Sequence, residues 1–550
     1  MVRDRWSSRM VFLLAAIGSA VGLGNIWRFP FLTYKYGGGA FLIPYLIALF
    51  IIGIPTLILE FALGQKLQCG AVKAFKQINT KLSGIGITAV YAGFIVVAYY
   101  AVVMAWALMY FFKSFNFTLP WANDASSYFF NNILNVSGSA GILGGINWPL
   151  FFSLALIWIA VYFTVWKGVK SVGKVIVVLM PLPMLLLLIL FIRGLTLDGA
   201  SLGILYYLKP NFMALLDTEI WLMAATQIFF TLSLAFGIMI AYGSYKDKKS
   251  DISKNAYITA FTNSSVSLIA GFVVFSILGY MATSTNVSVS EVVASGPGLA
   301  FIAFPQALSL MPFAWFFSAI FFAMLLMLGL DSAFSMIEAV DTTIADSHRK
   351  WSRAKIAAFV CGIAFLLGVI FTTGAGLYYL DIFDHFVTSF ILVIVGILQT
   401  IAVGWIYGAD KLRKYINSVS DWKVGKWWEY SIKFIIPIVL FMLLILQIYK
   451  DLTVPYEDYP IWALSLGWMI VIIGVLFVVW KVFFNGKISE VKTNKIVAKK
   501  KVIAKKKVVT KKSKSQIKAQ IKVKERSKIR QSKNRRKLSL SKTKVKQKRR

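Results

Sequence analysis

The chain has 550 residues, 58% of them hydrophobic, with a mean hydropathy of +0.72 and a formal charge of +36. So apolar a composition excludes a water-soluble domain, which has too little surface-compatible sequence here to cover itself. The charge is concentrated at one end: between Lys487 and Arg550, 28 Lys and Arg face only Glu490 and Glu525, a charge of +26 that leaves +10 for the rest.

A bilayer span needs about 20 apolar residues. Twelve stretches qualify, at 10–32, 39–63, 86–112, 148–166, 172–192, 219–243, 256–281, 312–340, 354–373, 380–408, 430–449 and 460–484. The first is too long and too interrupted for a secretory leader, and no A-x-A cleavage site follows it. The expectation is an all-α polytopic membrane protein of twelve spans.

That first span holds AVGLGNIWRFP, Ala20–Pro30. Two glycines, an Asn and an Arg inside hydrocarbon make a poor anchor, because glycine weakens a helix and unpaired polar groups are costly there. Unwinding the helix at this point resolves the difficulty. Freed N–H groups can then hold an anion and freed carbonyls a cation. Small residues also serve close helix packing. A second break argues against packing alone. The sixth span contains QIFFTLSLAFG, Gln227–Gly237, where Thr231, Ser233 and Gly237 interrupt an apolar helix. The two breaks open successive sets of five spans, 10–192 and 219–408, which an odd number of crossings sets in opposite orientation. An inverted repeat with matching broken helices points to a binding site at the bilayer midplane. Spans eleven and twelve, at 430–484, follow the repeat.

Other polar groups lie inside the spans and are functional candidates. Glu60 ends the second span, where it either faces the interface or bonds freed amides. Tyr99 and Tyr100 lie in the third, Asn263 and Ser267 four apart in the seventh. GLDSAFSMIE, Gly329–Glu338, brings Asp331 and Ser332 together on a face shared with Leu328, a set of oxygens suited to a hard cation.

Loop cations alternate. Residues 1–9, 64–85, 167–174, 246–255, 349–355 and 411–426 are rich in Lys and Arg, whereas 115–147 and 282–311 contain none. This pattern predicts both termini on the cytoplasmic side. Cys69 and Cys361 are far apart and outside the outer loops, so no structural disulfide is expected. Two His without spaced Cys or carboxylate partners do not make a transition-metal site. His348 and His385 lie at span edges, and no nucleophile–base set appears, so the chain is not expected to be an enzyme. The tail, 485–550, lacks an apolar period and is expected to be a disordered polybasic segment. Its plainest reading is a solvated tail with no dedicated partner; as a binding segment beside a last span it favours anionic lipid. Nucleic acid suits it less, for want of aromatics to stack on bases.

RDRW at 3–6, AVGLGNIWRFP at 20–30, GGGAFLIPYL at 37–46, QIFFTLSLAFG at 227–237, GLDS at 329–332 and DIFD at 381–384 together resemble the neurotransmitter:sodium symporter family, the sodium- and chloride-coupled carriers of amino acids and monoamines. The resemblance runs from Arg3 to about Val482. It implies a multi-pass cell-membrane symporter with two sodium sites. The first sodium site would use the Ala20 carbonyl, Asn25, Thr231, Asn263 and the substrate carboxylate. The second would use carbonyls of Gly18, Val21 and Leu328 with Asp331 and Ser332. The substrate carboxylate would meet the amides of Leu23 and Gly24 and the Tyr100 hydroxyl. Its ammonium would meet carbonyls of Ala20, Phe230 and Ser233. Val96, Val103, Phe230, Ser233, Phe236, Ser332 and Met336 would line the side-chain pocket. Arg28 and Asp384 would form an outer gate, under which Phe236 and Tyr100 make an aromatic lid. Arg3 and Asp346 would close the inside, helped by Trp6, Ser244 and Tyr245.

The resemblance also bears on substrate and counter-ion. Monoamine carriers hold Asp where this chain has Gly22, so the substrate here should bring its own carboxylate. An apolar, medium-sized pocket then leads to a neutral amino acid such as Leu, Met, Ile or Val, with aromatic amino acids next. Chloride-dependent members have Ser at the position of Ser267. Tyr45, Gln227, Thr231, Asn263 and Ser267 would cradle chloride. The loop 113–147 lacks the cysteine pair of animal members, so the chain looks prokaryotic, and the basic tail is not a family feature. An amino-acid sensor or a sodium-conducting channel on the same fold are the alternatives to a symporter.

Overall fold

Apolar runs long enough to cross a bilayer fold as helices, because hydrocarbon leaves backbone polar groups no partner but each other. The computed structural model describes residues 4–292, 296–348, 350–484 and 520–533. Among these, apart from two isolated β-bridges, the regular structure is helical. The chain divides into a unit ending at Phe483 and a second beginning at Phe484.

In the first unit, α1 (Arg9–Ala20) and α2 (Gly24–Lys35) form a pair bent by 54°. Then come α3 (Gly39–Leu67), α4 (Thr80–Lys113), α5 (Trp148–Val165) and α6 (Val169–Leu195). A second pair follows, α7 (Thr218–Thr231) and α8 (Ile238–Ser244). The other long helices are α9 (Ser253–Thr285), α10 (Ala314–Ser347), α11 (Arg353–Thr372), α12 (Gly376–Val419), α13 (Lys426–Thr453) and α14 (Ile461–Phe483), with shorter helices such as Ala200–Leu208 between them.

Among the described residues ten helices are long and apolar enough to span, or eleven with the bent pair α1–α2. The expected count of twelve is not reached by that measure. The sixth expected span, 219–243, is α7 of 14 residues and α8 of seven, with 232–237 unwound between them. Each piece alone is too short to cross.

Burial sorts the helices. Of the most apolar window, 78% is buried in α10 and 72% in α4, but only 28% in α6 and α14. The former are the inner scaffold and pack most extensively on one another. The latter expose rows such as Leu185, Leu188 and Ile192, as lipid-facing helices do. α8 packs tightly on α3. A Cβ added to Gly64 on α3 would lie 2.0 Å from the Ile240 carbonyl oxygen, and one on Gly243 would lie 2.8 Å from that of Phe61. Only glycine permits this approach.

In the second unit, residues 520–533 form a helix whose residues are all exposed. Regular structure was not expected in the tail, whose other residues lie outside those described.

Candidate functional site

The break between α1 and α2 is built by one side chain. Asn25 Oδ1 accepts a 2.9 Å hydrogen bond from the Gly22 amide, fixing the turn in which Val21 becomes extended. Its Nδ2 donates to Asn263 Oδ1 at 2.9 Å and to Ser267 Oγ at 2.8 Å on α9. Thr231, the last residue of α7, exchanges hydrogen bonds of 3.2 and 3.3 Å with Asn263. Three residues assigned to the first sodium site, Asn25, Thr231 and Asn263, are thus brought together, each at most 3% exposed.

Two groups expected to meet a substrate carboxylate also come together: the Leu23 amide donates to the Tyr100 hydroxyl at 3.3 Å. A Cβ on Gly22 would stand 2.8 Å from Ser332 Oγ and 3.3 Å from that hydroxyl, so a side chain here would fill the space. Phe230 lies against Gly24, and its ring centroid is 6.2 Å from that of Phe236. Val96, Val103 and Met336 are buried on the helices that carry Tyr100 and Ser332.

The second break is held in an unusual backbone. Ser233, Ala235 and Gly237 have φ of 52°, 67° and 75°, a region that costs residues other than glycine energy. Glu60, fully buried on α3, offsets this by accepting a 2.8 Å hydrogen bond from the freed Ala235 amide and 3.1 Å from Gln399 Nε2 on α12. Ser233 Oγ donates to the Ser19 carbonyl at 2.7 Å, and Ser19 Oγ to Ser335 Oγ at 2.9 Å. This hydroxyl chain ties α1, the break and α10 together. The sequence offered no signal for it, since lone serines in apolar spans have no periodic signature.

Asp331 is 1% exposed, and its Oδ1 has no hydrogen-bond partner among the described residues. A buried carboxylate is costly unless a donor or cation satisfies it. A Cβ on Gly18 would sit 1.8 Å from Asp331 Oδ2, so the carboxylate is pressed on the α1 backbone just before the break. Leu328, Ser332 and Val21 are buried on the same two segments. An oxygen set with one unpaired carboxylate and backbone carbonyls fits a hard monovalent cation.

Of the chloride set, Ser267, Thr231 and Asn263 join the Asn25 cluster. Tyr45 hydroxyl donates to Ser264 at 3.1 Å, a neighbour the sequence reading did not single out. Gln227 Oε1 is buried and unpartnered, while its Nε2 reaches the Gly24 carbonyl only at 3.5 Å.

At the outer gate positions, Arg28 and Asp384 form no ion pair. The Arg28 guanidinium stands 5.3 Å over the Phe230 ring, its Nη1 without a hydrogen-bond partner, and Asp384 accepts from Tyr99 hydroxyl at 2.6 Å. Beside them opens a cavity of about 370 Å³ bordered by Arg28, Tyr36, Glu219, His385, Asp451 and Tyr456. The amino-terminal side is shut. Trp6 is buried, its Nε1 donating to the Tyr242 carbonyl at 3.0 Å and its ring 6.3 Å from that of Tyr245. Arg3 lies outside the described residues; Asp346 Oδ2 accepts from the Gly70 amide at 2.8 Å. Ser244 is fully buried at the end of α8. The sequence reading missed the pairing of Arg353, counted only as a loop cation. Its Nη2 donates to Tyr245 hydroxyl, which donates to Glu338 Oε1 at 2.7 Å. Burial over the Phe12 ring, at 4.4 Å, lowers the Lys246 ammonium from lysine's ordinary range to about 7, although Asp251 opposes the shift.

Two broken helices surround this cluster of buried oxygens, and comparisons with known proteins show what the frame belongs to. The sequence profile of the sodium:neurotransmitter symporter family matches residues 3–128 and 122–487. The chain belongs to that family. It is 42% identical over 473 residues to an uncharacterized sodium-dependent transporter of Methanocaldococcus jannaschii, covering 86% of this chain and 96% of that one. It is 38% identical over 517 residues to the human sodium- and chloride-dependent taurine transporter, covering 86% and 83%. It is 38% identical over 520 residues to the rat sodium- and chloride-dependent GABA transporter 2, covering 88% and 86%. This family member is therefore a multi-pass transport protein of the sodium-dependent kind, and its relatives are transporters rather than enzymes.

Proposed function

We propose that this chain is a symporter of the cell membrane that imports a neutral amino acid with an apolar side chain, driven by two sodium ions and dependent on chloride. Both termini are cytoplasmic in this reading. The carrying observation is the buried Asp331 carboxylate, unpaired at Oδ1 and pressed on Gly18 where α1 stops. Sodium there joins α1 to α10. A second sodium at Asn25, Thr231 and Asn263 joins α1, α7 and α9, and completes its shell with the substrate carboxylate. Substrate and sodium thus share a ligand, which couples them.

The gates support alternating access. Trp6 is buried on the amino-terminal side, where Arg353 pairs with Glu338, whereas Arg28 and Asp384 make no ion pair with each other although Phe236 and Tyr100 beneath them are buried. Substrate binding under Phe236 and Tyr100 would bring Arg28 to Asp384. Loss of the Trp6 and Tyr245 contacts would then open the other side. A ligand moves such an equilibrium only through its different affinity for the two states.

The Ser19–Ser233–Ser335 hydroxyl chain and the taurine and GABA relatives favour a second reading of the substrate, a β- or γ-amino acid with a polar body. Uptake of labelled leucine into proteoliposomes, under an inward sodium gradient or a potassium control and with or without chloride, tests the proposal. Sodium-driven accumulation is the expected result. Taurine or GABA accumulating in place of leucine selects the second reading. Binding without accumulation means a sensor, and substrate-independent sodium current of channel size means a channel.

A further inference from the structure

Residues 520–533 read QIKVKERSKIRQSK and form a helix with every residue exposed. At 3.6 residues per turn, Lys522, Arg526, Arg530 and Lys533 fall within an arc of about 80°. Ile529 and Val523 flank that arc, 58% and 68% exposed. The helix's one acid, Glu525, lies about 60° outside the arc beside Lys522, and the far side carries Lys524, Lys528, Gln531 and Ser532 with Ile521, 55% exposed, while Ser527 borders Val523. Two of these serines turn their hydroxyls back to the backbone, Ser527 to the Lys524 carbonyl at 2.8 Å and Ser532 to that of Ile529 at 3.1 Å.

The basic face is self-repelling. Lys522 with Arg526, and Arg526 with Arg530, are like-charge neighbours four apart, which destabilise an isolated helix. Among the described residues none of the four has an acidic partner. A helix of this kind is stabilised by an anionic surface that spreads negative charge along its length, and long basic side chains with flanking aliphatics suit an interface that is charged above and apolar beneath. A bilayer containing anionic lipid is such a surface. Residues 485–519 tether the helix to the end of α14, a reach of at most about 120 Å. The 66 residues from 485 onward contain no Phe, Trp or Tyr, so the segment lacks stacking platforms for single-stranded nucleic acid.

We propose that the helix at 520–533 docks its Lys522–Arg526–Arg530–Lys533 face on the anionic lipid headgroups of the leaflet from which the tail emerges. The helix axis lies along the bilayer surface, with Ile529 and Val523 at the acyl boundary. The site is a membrane-surface contact independent of the transport pathway.

The test uses the full-length protein in vesicles of phosphatidylcholine alone or mixed with phosphatidylglycerol, with a fluorophore on Gln531→Cys and a headgroup-bound quencher. Quenching is expected only with phosphatidylglycerol and should fall as salt rises. Each cation near an anionic surface is worth about fivefold in binding, so R526Q/R530Q should lower the bound-to-free ratio about 25-fold. K524Q/K528Q removes the same charge from the opposite face and should lower it only a few-fold. Equal losses in the two variants, or equal quenching in both lipids, overturn the proposal. So does a probe that ignores phosphatidylglycerol but responds to added RNA, which would make nucleic acid the partner.

Discussion

Gly18→Ala tests the second sodium site through its backbone. The new Cβ would stand 1.8 Å from Asp331 Oδ2, and contacts under 3.0 Å are essentially never made. The carboxylate must therefore retreat by about 1.2 Å, because the atoms it meets belong to a helix backbone rather than a flexible side chain. Take a cation–oxygen distance of about 2.4 Å for a hard ion. Drawing a unit charge from about 2.4 to 3.6 Å at an effective dielectric of about 20 loses about 2.3 kcal/mol, or about 50-fold in affinity. The assay is thermal stabilisation of the purified protein across a sodium titration, with Asp331→Asn as the reference for a lost charge. Gly18→Ala should raise the sodium midpoint about 50-fold, and Asp331→Asn should raise it at least as far. An unchanged midpoint in Gly18→Ala would refute the placing of sodium between α1 and α10.

Four further outcomes are expected. Glu60→Ala strands the Ala235 amide and the Gln399 side chain; each buried donor left unpaired costs about 1–3 kcal/mol, so the melting temperature should fall by several degrees. Arg353→Gln leaves Glu338 buried without its cation, a loss of about 3–5 kcal/mol, and the double variant Glu338→Gln/Arg353→Gln should recover part of it in the same melt. Ser267→Asp places a fixed negative charge beside Asn25, so sodium-driven uptake should lose its chloride requirement; uptake that still fails without chloride counts against that cradle. Lys246, held at about 7 when folded, binds fewer protons folded than unfolded between about pH 7 and its ordinary 10.5. Its contribution to stability therefore grows as pH rises through that window, and Lys246→Met should flatten the rise in melting temperature from neutral to mildly alkaline pH.

Much of the fold was legible because hydrocarbon enforces helices and apolar runs reveal them. The ends were less so. α12 runs on to Val419, past the expected limit near 408, because its last stretch, Ala409–Val419, is an amphipathic helix that an apolar window does not detect. A length criterion stops short of twelve at the sixth span because one break turned that stretch into two short helices. In the site, residue types carried the information. Asn25, Asp331, Asn263 and Ser267 stood out as polar groups where polar groups are costly. What lay between helices did not stand out. Nothing in the sequence joins Ser19 to Ser335, or Gln399 to Glu60. Nor does it say which contacts the gate positions make: here Tyr99 holds Asp384, and Arg28 lies over the Phe230 ring.

The contact of Gly64 with Ile240 and of Gly243 with Phe61 has a mechanical meaning. Where the two helices touch backbone to backbone, no side chain stands between them to slide, and they would move as one rigid body. In the proposed cycle a swing of α8 would carry α3 with it, and the displacement would be taken up at 232–237, where the chain is already uncoiled. The lever is therefore a helix pair, and its fulcrum is the same short segment that would grip the cargo.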